Sequence, residues 1–172
     1  MMKSFYILLL FLTGICTGST LAQEVVDTRR ATLNVRATAT VTDNLQMLTI
    51  RNLDLISPTI IDNKIIVDPT TSGFAGMFKI IGNPNAKVRI TFLQNEVLKE
   101  QNEGFGTVYA EYFVSEAFED TQFQSTPLQV GEGNVMLSEV GVLFLWLGAN
   151  LDLSQAGPGL YLSEFIIELE YI

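Results

Sequence analysis

No histidine occurs in the 172 residues, and cysteine occurs once, at Cys16. Without histidine the chain lacks the usual general base and the commonest metal ligand, and every serine–histidine or cysteine–histidine nucleophile is excluded. Zinc sites built on Cys and His are excluded for the same reason. A single cysteine forms no intrachain disulfide, so an exported form of this chain is held by its core and its sheet hydrogen bonds. Positive charge is also scarce: 10 Lys and Arg stand against 19 Asp and Glu, a net charge of −9. That balance repels phosphate backbones and anionic lipid heads, and no basic cluster offsets it, so no nucleic-acid partner is expected and membrane-surface binding is a poor hypothesis. Only carboxylates remain for chemistry. The composition therefore reads as a non-catalytic protein without cofactor or bound metal.

The first 22 residues read as a cleaved secretory signal peptide. Lys3 is the only charge before the short apolar stretch "FYILLLFLTGIC", and small residues lead to Ala22. This is the basic, apolar, small-residue order of an export signal. The stretch is too short for a bilayer span, so no integral membrane segment is expected after cleavage. Lipid anchoring at Cys16 is the minor alternative, disfavoured because Ile15 stands where a lipobox carries a small residue. Residues 23–172 are long enough for one domain with a real core. The expected location is outside the cytoplasm: periplasm, outer surface or extracellular space.

What is abundant is alternation. "ATLNVRATATV" places Ala31, Leu33, Val35, Ala37, Ala39 and Val41 on one face and polar residues on the other, which predicts a long half-buried strand. "LQMLTI", "LDLIS" and "NKIIV" follow as short strands. "GMFKIIG" and "KVRITFL" flank the turn residues "GNPNA", which predicts a hairpin-type connection. "NEVLKEQNEGFG" has room for a helical turn, and "TVYAEYFV" reads as a strand. An acidic loop, "SEAFEDTQFQSTP", precedes "LQV" and "NVMLS". The continuous apolar run "VGVLFLWLG" suits a strand covered on both sides. "NLDLS" and the terminal run bring the count to nine or ten strands. Short strands with regular turns and no helix predict an all-β, two-sheet antiparallel β-sandwich.

The acidic candidates are Glu116, Glu119 and Asp120, with Asp62 and Asp68 around "NKIIV". "EAFED" lacks the glycine bend and the ligand number of a calcium loop, so a solvated loop is the better reading. Trp146 with Tyr109, Tyr112 and Phe113 allows two readings, a sugar-stacking platform or core and cross-strand packing, of which packing is the commoner fate. Tyr109 and Phe113 share a side with Glu111, a mixed face that suits an extracellular glycan.

The chain closes on "GPGLYLSEFIIELEYI". Tyr161, Phe165, Ile167, Leu169 and Tyr171 line one face, interrupted only by Ser163. Glu164, Glu168 and Glu170 line the other, with Leu162, Ile166 and Ile172. Each large apolar side chain buried there contributes ~1.5–3 kcal/mol, so the run is expected to be central to the fold.

With "ATATV" early, "IIVDPTTSG" and "FKIIGNPNAKVRITF" in the middle, and "LDLSQAGPGLYLSEFIIELEYI" at the end, the chain resembles domain-of-unknown-function family 4402. These are secreted bacterial β-sandwich proteins similar to spore-coat-U-like and pilin-like domains. The resemblance runs from about Ala31 to Ile172 and is most specific in "AGPGLYLSEFIIELEY". It implies an immunoglobulin-like or pilin-like sandwich and an exported location, and brings no activity with it. The ending is also similar to that of chaperone–usher subunits, with a penultimate aromatic (Tyr171) and a glycine (Gly159) at the matching distance upstream. In those subunits an N-terminal extension of one copy completes the sheet of the next, which is strand addition at an open edge. "QEVVDTRRATLNV" is either such a donor segment or the protein's own first strand. The disulfide common in such subunits is absent.

These observations lead to an exported structural or adhesive surface protein, a fimbrial-type subunit among them, whose working motif is Gly159, Tyr161, Phe165, Ile167, Leu169 and Tyr171. Its expected partners are copies of itself or other envelope proteins, met through sheet edges. The alternative is a carbohydrate- or ligand-binding module using the 68–76 and 115–127 loops or the mixed face. A carboxylate hydrolase ranks last, since it requires two acids facing each other across a cleft.

Overall fold

The computed structural model describes residues 44–101, 105–129 and 131–172. The expected signal peptide (1–22) with Cys16, the candidate donor segment 23–35 and the strand expected at 31–41 lie outside the described residues. Among the described residues the chain forms ten strands: β1 (Gln46–Arg51), β2 (Lys64–Val67), β3 (Gly76–Ile81), β4 (Lys87–Phe92), β5 (Asn95–Lys99), β6 (Thr107–Ala117), β7 (Thr126–Pro127), β8 (Glu132–Met136), β9 (Val142–Asp152) and β10 (Ile167–Tyr171). The one helical element among the described residues is a 3-10 turn at Gln122–Gln124. No helix there is long and apolar enough to cross a membrane.

The strands form two antiparallel sheets. The larger runs β1-β3-β9-β6-β5, with β2 pairing β9 beyond the end of β3 and β7 pairing β6 beyond the end of β5. The smaller runs β10-β4-β8. The "VGVLFLWLG" run forms the centre of the larger sheet, as its apolar continuity predicts. It pairs along one edge with β3 and then β2, and along the other with β6 from Phe144 to Asp152. Gly148 lies where β9 changes neighbour. A side chain there would meet the Val67 carbonyl at 2.2 Å and the Pro69 ring at 2.6 Å, so only glycine lets the chain leaving β2 pass over the sheet.

Both sheets feed one core. Phe78 and Ile80 from β3, Leu143, Leu145 and Leu147 from β9 and Val108, Ala110 and Tyr112 from β6 pack with Val88, Ile90, Ile167 and Leu169 from the smaller sheet. Phe165 joins the two layers: its ring lies 4.7 Å from that of Tyr112 and 6.1 Å from that of Phe92. The architecture is thus all-β and sandwich-like.

Four local expectations are corrected. "LDLIS" is a loop, because the Asp54 carboxylate accepts hydrogen bonds from the Ile56 and Ser57 amides and turns the chain. Its leucines, Leu53 and Leu55, still enter the core. "GNPNA" does turn, with Asn85 at φ 58, but β3 and β4 belong to different sheets, so it is a crossover and not a hairpin. "NEVLK" is β5, paired with β6 from Asn95↔Glu111 to Lys99↔Thr107, where room for a helical turn was expected. "NLDLS" is no separate strand, since β9 runs on to Asp152.

Candidate functional site

The terminal run behaves as its alternation demands. Tyr161, Ser163, Phe165, Ile167 and Leu169 are buried, Tyr171 is half-buried, and the intervening side chains from Leu162 to Ile172 face solvent. Regular pairing is shorter than the alternation: β10 pairs with β4 only from Ile167↔Phe92 to Tyr171↔Val88. Tyr161 makes an isolated bridge to Glu100, and residues 162–166 belong to no ladder among the described residues. The run is central to the core through its side chains, yet among the described residues β10 is an edge strand of its sheet.

Three motif residues, Gly159, Tyr161 and Tyr171, are fixed by specific local contacts. A side chain at Gly159 would lie 2.2 Å from Cγ of Glu100, whose Oε1 accepts a hydrogen bond from the Leu160 amide at 3.2 Å. The Tyr161 hydroxyl donates to the Gly157 carbonyl and accepts from the Gly157 amide, both at 3.0 Å, closing the turn that launches the run. The Tyr171 hydroxyl accepts from the Asn83 amide at 2.9 Å, tying the last turn of chain to the β3–β4 crossover.

A buried polar cluster sits beside Phe165. The Tyr112 hydroxyl lies 2.7 Å from Oγ of Ser163 and 3.3 Å from Oε2 of Glu96, and Ser163 also donates to that carboxylate. Burial pushes the Tyr112 phenol well above its ordinary value, and the negative charge of Glu96 adds to the effect. A phenol held protonated in this way acts as a fixed donor, not as a base. The cluster locks the unpaired stretch 162–166 to β5 and β6. Neither Glu96 nor Ser163 stands out in the sequence, because 67 positions separate them.

The aromatic candidates separate. Trp146 is 1% exposed and Tyr112 is buried, so neither stacks a ligand; both pack. Trp146 lies 6.3 Å from the Phe144 ring, and nearby two segments meet: Gln122 donates to the carbonyls of Pro69 and Ser72 at 2.9 and 2.8 Å, and Pro69 lies over Gly148. The expected 115–127 loop is in part strand, its ends lying in β6 and β7, and its middle is joined to the 68–75 loop through Gln122. Tyr109, Glu111 and Phe113 do share the outward face of β6, with Tyr109 46% exposed and the other two half-buried. Beside Tyr109 lies a hollow of about 420 Å³ that spans β2, β9, β6 and β5.

The acidic candidates do not converge. Asp68 caps its own loop, accepting from the Thr70 hydroxyl and the Thr70 and Thr71 amides, which hold its carboxyl below the ordinary range. Asp62 occupies a turn at φ 50. Glu116 is half-buried, and burial raises its carboxyl above the ordinary range. No group of three or more acidic residues gathers as a metal ligand set among the described residues.

No known family model matches the chain, and no curated protein matches it in sequence.

Proposed function

We propose that this protein is a non-catalytic, exported structural or adhesive surface component, a fimbrial-type subunit that assembles by β-strand addition. The observation that carries the reading is the terminal run. Its inner side chains are fixed in the core, while its backbone is paired on one side at Ile167–Tyr171 and on neither side at 162–166 among the described residues. An edge of this kind presents unpaired amides and carbonyls to an incoming strand. The Tyr161–Gly157 tie is of the same kind as the tyrosine corner of Greek-key sandwiches. It supports the immunoglobulin-like or pilin-like form of the fold. The partner is a second copy or another envelope protein, and residues 23–35 are the segment to supply the strand.

The purified exported protein is expected to form assemblies that survive SDS without heating and fall apart on boiling. Filaments would be visible by electron microscopy, and removal of residues 23–35 should leave monomers. A strict monomer whose amides from Leu162 to Tyr171 are all protected from hydrogen exchange would sink the reading.

A further inference from the structure

We infer that the outward face of the larger sheet holds a binding site for a neutral glycan chain, centred on Tyr109. The strand registers place two rows of side chains side by side. Ile66, Asn150, Glu111 and Asn95 form one row, and Lys64, Asp152, Tyr109 and Val97 form the next. Four strands at their normal spacing make each row roughly 14 Å long, and two residues along a strand separate the rows by roughly 7 Å. The hollow they line has a volume of about 420 Å³.

The chemistry of these rows selects the ligand. Tyr109 offers a half-exposed ring for the apolar face of a sugar, flanked by Val97, while Ile66, 62% exposed, closes the far end of the neighbouring row. Asn95 and Asn150 supply amide donors and acceptors, and Glu111 and Asp152 supply carboxylate acceptors for hydroxyl pairs. Both acids are oriented before any ligand arrives. The Gln94 amide lies 3.3 Å from Oε1 of Glu111, and Oδ1 of Asp152 accepts from the Ser154 amide at 2.9 Å. Lys64 is the one cation in the two rows against two carboxylates, so an anionic polysaccharide is repelled. A peptide strand cannot pair across the middle of this face, because β9 and β6 are already paired along both edges here. Recognition on this face has to run through side chains, and they are those of a polyhydroxylated, uncharged chain. The site lies on the side of the larger sheet opposite the terminal run, so it stands independently of strand addition.

The test is an amide-resolved NMR titration of the purified protein with cellotetraose, mannotetraose, laminaritetraose and chitotetraose, using tetragalacturonate as the anionic control. Saturable shifts confined to β2, β5, β6 and β9 are expected with at least one neutral probe at millimolar concentration or below. Tyr109→Ala should weaken that binding about tenfold, while Tyr109→Phe should keep it, because the ring and not the hydroxyl is used. Asn150→Ala, at a position that leaves the core untouched, serves as a second variant and should also weaken it. The inference fails if no neutral probe binds at millimolar concentration, if tetragalacturonate binds best, or if the shifts fall on residues 116–126 instead.

Discussion

Phe165 shows how one side chain decides a layer. It is 1% exposed, touches an aromatic ring from each sheet, and stands at the point where β10 loses its ladder. Side-chain packing there replaces missing backbone pairing. Phe165→Ala is expected to cost ~3–5 kcal/mol, measured as a fall in the denaturant midpoint at unchanged slope. Glu116 works the other way. Burial raises its folded-state pKa above that of the unfolded chain, so its favourable contribution is present below the ordinary carboxylate value and is lost as pH rises through the folded value. Glu116→Gln should therefore raise the melting temperature at neutral pH and give no gain well below pH 4.5. An equal gain at both pH values would show that ionisation is not the cause. The alternation of the sequence revealed that Phe165 points inward. Glu116 continues the inward series Val108, Ala110, Tyr112 and Val114, but its setting in a run read as an acidic loop hid that β6 extends to Ala117, with Leu145 and Thr126 opposite Glu116 on β9 and β7.

At the scale of elements, the terminal run carries more than its pairing suggests. Deleting Phe165–Ile172 removes Phe165, Ile167 and Leu169 from the core and exposes the whole edge of β4. Three such side chains at ~1.5–3 kcal/mol each approach the ~5–15 kcal/mol net stability of a domain. The truncated chain should show no cooperative calorimetric transition; a melt matching the intact protein would refute its central role. Strand positions were legible wherever period two was clean, as in "KVRITF" and "TVYAEYFV". They failed at "LDLIS", where a side chain captured the backbone, and at "NEVLK", where polar residues hid a strand whose inward positions are Glu96 and Leu98. Local propensity does not report either event, because each depends on a partner.

For the whole molecule, the two proposed activities use opposite sides of one sheet. Its inner face supports the terminal run whose edge is offered to another strand, and its outer face carries the Tyr109 hollow. A surface protein that both assembles and adheres needs this separation, since a glycan site in the assembly edge would be covered on polymerisation. The net charge of −9 suits the same arrangement by keeping unassembled chains apart and by favouring uncharged ligands.

The sequence alone determined the all-β class, the absence of histidine chemistry, and which side of each alternating strand faces the core, because these depend on composition and on the period of a single strand. Pairing partners, and therefore the site, were decided only by tertiary structure. Ile66, Asn95, Tyr109 and Asn150 lie on four strands, and nothing local to any one of them encodes the register that sets them side by side. The same holds for the end of the chain. Its alternation announced a buried strand, but only the sheet order showed that this strand lies at an edge among the described residues, since a row of inward side chains looks the same whether one neighbour is paired or two.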